Sequence, residues 1–546
     1  MEIGEKTKGV NLGRVAVVGA GPLGLMAMKN MMEDGFDVTG FEKRGYVGGL
    51  WKSSTDSSIS VTETTVFNSS RFRSAISDFP FPEGVDDYPS AKQIHQYMES
   101  YCDHFKLRPH IHLNTTVNTF SRVDGKWALE VVHDGSSRIE YFDKLLTCSG
   151  SFVTPRIPKL QNVEKFQGPI LHSIEFPHPS RFKDQNVLLI GLHATAQDLT
   201  VELSQHAQKV YIAHKNGIVL VPRFTEDGRA LDQGQNLSFL FFQVFMTTWF
   251  PNLFNWLIDK ILARMSKKAF AHQPEEWNLS PAPSIATTSP MVADAIYPFL
   301  ENGFATPISP VKQIVGPKSI QLTDGRVLDD VDTIIYCTGY DFSVPFVPKE
   351  YNPYPVVGGP PSLYRNIFPL HPDPAVRNSL AFLGQCGFAF PGFVQFELSA
   401  MAVSQIWLGR SQLPSLDKMK HWHRDQLAWR ESVLARSKFD SNFYPVFVPL
   451  PDQMRWLDET AGTGIFQHFS TFSWKSWRFW WSDPKFYKLC VSGLFSPSIW
   501  RLFDMGRRKP WPDAKRQVIE DNEYATKRVA ERLVAMKKLE VERKQK

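Results

Sequence analysis

Residues 14–42 read RVAVVGAGPLGLMAMKNMMEDGFDVTGFE. The opening run of small and β-branched residues predicts a buried parallel strand over residues 14–19. A glycine-rich turn follows, then a helix over LGLMAMKNMMEDG, then a second strand over residues 37–42. Gly19, Gly21 and Gly24 form GxGxxG (Gly19-Ala20-Gly21-Pro22-Leu23-Gly24) between strand and helix, and Glu42 closes the second strand 23 residues after Gly19. In that context the pattern is a dinucleotide fingerprint. Gly19 permits the tight turn, Gly21 lets backbone N–H groups approach a pyrophosphate, and Gly24 lets the helix pack close to the strand. The helix N-terminus stabilises the negative charge, and the Glu42 carboxylate accepts hydrogen bonds from a ribose hydroxyl.

A second β-α-β unit begins at Asn186 with NVLLIG, continues through a helix over ATAQDLTVELSQHA and closes with KVYIAHK over residues 209–215. Its turn, Gly191-Leu192-His193-Ala194-Thr195-Ala196, keeps the first glycine and a small third residue but has His193 in the middle. An imidazole there blocks backbone approach unless it points away. The offset that leads from Gly19 to Glu42 leads from Gly191 to His214, next to Lys215. A cation and no carboxylate at that place favours NADPH over NADH. Asp198 lies in the first helical turn. A further strand is expected over DTIIYC, residues 332–337.

Composition narrows the class. The 546 residues are 42% hydrophobic and include 41 Phe, 15 Trp and 15 Tyr, which excludes disorder as the main state. A mean hydropathy of −0.25 excludes a polytopic membrane protein. The net charge of +5 gives no reason to expect nucleic-acid binding. The five cysteines form no CxxC pair, so neither a disulfide framework nor a metal site is expected. The polar N-terminal stretch lacks an apolar run, so no secretory signal peptide is expected there.

With GGLW at Gly48-Gly49-Leu50-Trp51 and FQGPILHSIEF from Phe166 through Gly168 and His172 to Phe176, the chain resembles the flavin-containing monooxygenases. These are class B flavoprotein monooxygenases of the dimethylaniline N-oxide-forming type. The resemblance runs over roughly residues 12 to 512. It extends to Asn68 in VFNSSRF, to SDFPFP at residues 77–82, to Cys148-Ser149-Gly150 and to Tyr336-Cys337-Thr338-Gly339-Tyr340. It implies FAD and NADPH as cofactors, with dioxygen and a small-molecule amine or sulfide, such as a secondary metabolite, as reactants. NADPH would reduce FAD, dioxygen would add at flavin C4a, and the hydroperoxide would pass one oxygen to the soft nucleophile. Asn68 would be the catalytic residue. Besides the two turns, the implied cofactor contacts are Lys43, Gly49, Leu50, Trp51, Phe67, Asn68, Ser69, Val117, Thr195, Ala196, Gln197, Asp198, Lys215, Thr338 and Gly339. Asn68 should be buried, and His172 should be structural at the junction between domains. Two departures bear on the NADPH site. His193-Ala194 stands where the family has glycine or serine and then Asn, and Lys215, with Arg223 behind it, stands where the family often has arginine.

The expected architecture is α/β with two Rossmann-like dinucleotide-binding domains. A discontinuous FAD domain takes residues 1–165 and 331–512. An inserted NADPH domain takes 166–330 and carries an apolar insertion near 232–300. Residues 513–546 form a charged, solvated helix or tail. Two alternatives stand beside the amine or sulfide oxygenase: a Baeyer–Villiger ketone monooxygenase, because Pro177 follows Phe176, and a membrane-associated FAD-binding protein without oxygenase activity, because of His193. The uncharged segment 236–258, NLSFLFFQVFMTTWFPNLFNWLI, reads either as a buried helix pair or as a lipid-facing surface with Trp249 and Trp256 at the interface, a spanning helix being weakened by Pro251 and the scattered Asn, Ser, Thr and Gln. The aromatic run FSWKSWRFWW at 472–481 reads the same two ways. A lipid-facing reading places the protein on the cytoplasmic side of a membrane such as the endoplasmic reticulum, where Arg543 and Lys544 sit as a dibasic retrieval signal does.

Overall fold

The computed structural model describes residues 12–54, 59–150, 152–439 and 443–545; most of the N-terminal polar stretch lies outside them. Two parallel five-stranded sheets organise the chain. In the first, the order is Leu380–Phe382, Lys144–Thr147, Arg14–Val18, Asp37–Phe41, Ile111–His112. Its centre is continuous apolar sequence: Val15, Ala16 and Val17 have no exposed surface. The helix Pro22–Glu33 starts with proline at its first turn, where a missing N–H costs nothing, and buries Leu23 through Met31.

The second sheet has the order Ala305–Ile308, Lys209–Ala213, Asn186–Ile190, Thr333–Tyr336, Ile170–His172. The expected boundary at 330/331 needs correction here. Thr333–Tyr336 pairs in parallel with Asn186–Ile190, so this strand belongs to the second sheet, and the chain returns to the first sheet after it. The α/β class with two Rossmann-like units is what the chain adopts.

An antiparallel meander, Thr115–Val123, Lys126–His133 and Ser136–Phe142, packs beside the first sheet. Both of its turns are Asp-Gly pairs with positive φ at each residue: Asp124-Gly125 at 49° and 77°, Asp134-Gly135 at 46° and 78°. Such pairs match the twist of two-residue hairpins.

The apolar segment forms two helices, Leu237–Trp249 and Pro251–Ala269, broken at Phe250 before the proline. Neither of the expected readings covers the whole of it. Leu237, Leu240 and Val244 pack with Phe388, Leu398, Leu457 and Phe486 in a helical core that the C-terminal half supplies, while the outer face stays exposed. Among the described residues, no helix is long and apolar enough to cross a membrane.

The C-terminal helix Ala514–Gln545 is not simply solvated. Val518 is fully buried, Arg528 Nε reaches Asp87 Oδ1 at 3.1 Å, and Arg532 pairs with Asp87 and stacks 3.9 Å from the Phe224 ring. The helix therefore touches segments next to both sheets.

A buried ionic cluster ties three distant segments together. Lys29 and Glu33 of the first helix meet Asp78 of the 77–82 segment and Arg501 near the C-terminus. Arg501 Nη1 lies 2.8 Å from Asp78 and Nη2 2.6 Å from Glu33. Lys29 also pairs with Asp78, and Arg508 with Glu33. Burial alone raises both carboxyl pKa values, but the cations overcome it and hold Asp78 and Glu33 below the usual carboxylate range.

Candidate active site

The first glycine turn is a groove walled by backbone. Gly19 has φ +104°, and a Cβ there would stand 2.6 Å from the Cys148 carbonyl oxygen. A Cβ on Gly24 would fall 1.9 Å from the Gly19 carbonyl oxygen, so helix and strand touch without room for a methyl group. Gly21 is different. Its φ of −70° suits any residue. A Cβ there would stand 3.5 Å from the Gly49 Cα, an ordinary contact, so the protein's own packing does not require glycine at this position. Gly48 and Gly49 bring GGLW to the turn with φ of +95° and +63°, and Gly48 N–H donates to the Ala20 carbonyl at 2.9 Å. The short helix Gly49–Trp51 then places Leu50 and Trp51 beside it. Glu42 is buried, and its carboxylate accepts from Ala20 N–H at 2.7 Å and Arg44 N–H at 3.0 Å. Both oxygens are oriented and keep a lone pair for a hydroxyl donor. Lys43 is exposed at the same edge, and the Val117 side chain is buried in the meander core. These cradles fit the pyrophosphate and ribose of FAD.

The second turn repeats the first. Gly191 has φ +111°, and a Cβ there would stand 2.5 Å from the Cys337 carbonyl oxygen. His193 does not block the turn. It caps the helix Ala194–Leu203 in extended conformation, φ −156°, and its Nε2 faces the Ser289 carbonyl oxygen at 3.3 Å. The imidazole points away, so the loss of the middle glycine leaves the turn usable. Burial lowers its pKa and favours the neutral ring. Along the first helical turn, Ala196 is fully buried, Thr195 partly so, and the Gln197 side-chain oxygen is a buried acceptor with no protein partner. His214 is buried between the carbonyls of Asn216 and Trp277, at 2.8 and 2.9 Å, whereas Lys215 is exposed at the strand end. Arg223 lies deeper, held by its N–H to Asp294 at 2.8 Å, with its Nε a buried donor without a protein partner.

One loop joins the two turns. Thr64 Oγ1 donates to Glu202 at 2.8 Å, Thr65 Oγ1 donates to Asp198 at 2.8 Å, and Ser70 N–H donates to Asp232 at 2.8 Å. Three carboxylates from the second unit thus grip both sides of Phe67-Asn68-Ser69. Phe67 packs between Trp51, edge-on at a centroid distance of 5.1 Å, and Phe393, tilted at 5.2 Å. Asn68 itself is exposed, which corrects the expected burial: the loop is held by its flanks, and the amide projects from it. Sequence reasoning missed the grip. Asp198 and Glu202, four residues apart on one helical face, were the available signal. His172 is buried and joins the strand Ile170–His172 to the Thr338-Gly339 turn, its Nε2 3.1 Å from the Gly339 carbonyl oxygen. Thr338 Oγ1 bonds the Arg156 carbonyl, and Gly339 has φ +77°.

Burial pushes Asp198 from 3.8 up to about 6, against the Thr65 hydrogen bond and Arg223 that lower it. A raised carboxyl pKa means that the folded state binds the proton more tightly, so the contribution is fully present below about pH 4 and is lost as pH rises through 6. Asp198→Asn should remove a stability decline on the order of 2 kcal/mol between pH 4 and 7. Urea midpoints of both proteins across that range check this; parallel profiles would refute it.

Among the described residues, no group of three His, Cys, Asp or Glu could hold a metal ion. The family model described as flavin-binding monooxygenase-like matches residues 12–543. The chain is 33% identical to Monooxygenase aurF of Gibberella zeae over 526 residues, covering 93% of this chain and 97% of that one. It is 30% identical to human Flavin-containing monooxygenase 2 over 413 residues, 74% of each chain. Its fold is similar to the solved S-allyl-L-cysteine S-oxygenase of Allium sativum, with a TM-score of 0.60 at 20% identity, covering 94% of this chain and 99% of that one. Two glycine cradles joined by one gripped loop, and a family match that spans both, lead to one conclusion: the chain belongs to the flavin-binding monooxygenase family, with FAD and NADP as its cofactors.

Proposed function

We propose that this enzyme takes electrons from NADPH and transfers one oxygen atom from dioxygen to an amine nitrogen or sulfide sulfur of a small molecule. The observation that carries the reading is the loop 64–70, which belongs to the first unit yet is gripped by carboxylates of the second. In this reading, Asn68 works where the two cofactors meet. When bound, FAD supplies the electron transfer and oxygen activation that no side chain provides. The turn at Gly19, Ala20, Gly21, Pro22, Leu23 and Gly24, with Glu42 and the GGLW segment, holds it. Gly191, the first turn from Thr195 to Asp198, and Lys215 hold NADPH. The Asn68 amide both donates and accepts hydrogen bonds without titrating, so it orients the reacting groups and removes no proton.

The test is anaerobic mixing with NADPH, and separately NADH, followed at the flavin absorbance maximum. Oxygen is then admitted with an amine, a sulfide or a ketone, and the product is weighed by mass spectrometry. Rapid bleaching by NADPH and a one-oxygen gain on amine or sulfide is the expected result. Ester formation from the ketone alone would assign the Baeyer–Villiger reaction, and no bleaching by either nucleotide would overturn the oxygenase reading. Lys215→Glu should raise the NADPH KM roughly 10- to 100-fold by removing a charge-assisted phosphate contact, with the NADH KM nearly unchanged. Equal changes for both nucleotides would remove Lys215 from the 2′-phosphate site.

A further inference from the structure

The C-terminal helix Ala514–Gln545 has no part in either glycine cradle, yet it is fixed to both units. Its first half is anchored in the helical layer: Val518 is fully buried, and Asn522 Oδ1 accepts from Leu494 N–H at 2.7 Å. Its next turns meet the seam between the units. Phe72 and Tyr88 of the first, Phe224 and Ala230 of the second, and Tyr524 and Ala525 of the helix form one apolar cluster. Arg532 then bridges the seam with a single guanidinium. Nη2 donates to Asp87 of the first unit, Nη1 donates to the Gly228 carbonyl of the second, and the guanidinium carbon lies 3.9 Å from the centre of the Phe224 ring.

Both partners of Arg532 are built for this approach. The Asp87 side chain is 4% exposed and takes Arg528 Nε on its other oxygen at 3.1 Å. A carboxylate so far from water needs its cations, and here both come from the helix. Gly228 has φ +75°, and a Cβ there would stand 3.0 Å from Leu533 Cγ and 3.2 Å from the Val529 carbonyl oxygen. The contact reaches the candidate site through the next residue. The Tyr88 hydroxyl donates to the Arg223 carbonyl at 2.6 Å and accepts from Leu231 N–H at 3.2 Å. Asp232, on that same stretch, accepts from Ser70 N–H two residues after Asn68. Residues 223–232 are thus clamped between the Asn68 loop and the C-terminal helix.

We propose that the C-terminal helix is a strap across the seam, and that Arg532 is a positioning residue that keeps the Asn68 loop in register with the second unit. The consequence for turnover rests on the oxygenase reading above. With the strap loosened, the enzyme still takes a hydride from NADPH, but the oxygen acceptor is poorly placed. The two electrons, the hydride proton and one proton from solvent then leave with dioxygen as hydrogen peroxide, instead of one oxygen passing to the substrate and the other to water.

The test compares hydrogen–deuterium exchange in the flavin-loaded wild type, Arg532→Ala, Gly228→Ala and the exposed control Lys527→Ala. Arg532→Ala and Gly228→Ala should speed exchange in residues 64–70 and 223–232 by about tenfold or more and leave the strands Arg14–Val18 and Asn186–Ile190 unchanged. Both should keep wild-type flavin content and release severalfold more peroxide per NADPH consumed, whereas Lys527→Ala should match the wild type. Asp87→Asn/Arg532→Gln removes the ion pair without stranding a buried carboxylate, and should give the same result if Arg532→Ala fails to fold. Unchanged exchange in both loops would overturn the strap. So would a rise spread evenly over both sheets, which would make the helix a general stabiliser. Faster loop exchange with wild-type peroxide release would overturn the positioning role. Loops that respond as expected in a protein that oxygenates neither amine nor sulfide would support the strap and count against the oxygenase reading alone.

Discussion

Gly24→Ala should purify colourless. The Cβ it adds falls 1.9 Å from the Gly19 carbonyl oxygen and 2.8 Å from its carbon, and both are backbone atoms in the turn itself. No rotamer relieves that contact. The helix Pro22–Glu33 must leave the strand Arg14–Val18, which dismantles the pyrophosphate groove and costs more than about 4 kcal/mol. Gly191→Ala separates the two cofactors. It forces a non-glycine residue to φ +111° and puts Cβ 2.5 Å from the Cys337 oxygen, but all of this lies in the second sheet. That variant should stay yellow and lose reduction by NADPH. Gly125→Ala is the control. It has φ +77° with nothing within 4 Å of its Cβ, so it should cost about 1 kcal/mol and leave both activities intact. Flavin content read from absorbance, and reduction rate read by stopped flow, decide the matter. A fully flavinated Gly24→Ala protein would sink the assignment of the first turn to FAD.

Arg501→Met should be the most destabilising substitution in the C-terminal third. Arg501 is 5% exposed and bonds Asp78, itself 8% exposed, along with Glu33. Removing the guanidinium leaves buried carboxylates short of a partner, at about 3–5 kcal/mol. The variant Asp78→Asn/Arg501→Met removes both charges and should recover part of that loss, because the penalty belongs to the unpaired ion more than to the pair. The pH dependence follows from the sign of the shift. Asp78 is depressed, so its contribution is present above about pH 4 and disappears as the pH falls. Urea unfolding at pH 7 and pH 3 tests both statements. Equal unfolding of wild type and Arg501→Met at pH 7 would refute the first.

The two glycine turns were legible because each rests on a local steric rule that leaves its mark within a few residues. Pro22, Gly19 and Gly24 state the turn, and their neighbours cannot overrule a Cβ clash. His193 leaves two readings open for the same reason in reverse. Sequence names the side chain but not its direction, and only the distant Ser289 carbonyl turns the ring away. The boundary at 330 failed because a strand does not announce its partner: Thr333–Tyr336 is apolar enough for either sheet, and its pairing with Asn186–Ile190 is a long-range event. The grip on Asn68 and the Lys29–Asp78–Arg501 cluster were illegible on the same ground, since their members lie up to hundreds of residues apart. The amphipathic split of the apolar helices was half legible. Composition showed that they are apolar, but which face is covered depends on helices that arrive 150 residues or more later in the chain.

The strand order also sets a timetable for synthesis. The second sheet draws all its strands from one continuous stretch, Ile170–His172 through Thr333–Tyr336, and is complete once that stretch has left the ribosome. The first sheet waits for Leu380–Phe382 to cover Lys144–Thr147. At about 5–20 residues per second, that edge, with Leu145 and Leu146, stands unpaired for roughly 10–50 s. An open apolar edge is a template for a neighbouring nascent chain. Crowded translation therefore endangers the first sheet more than the second, and chaperones or slower initiation should raise the yield.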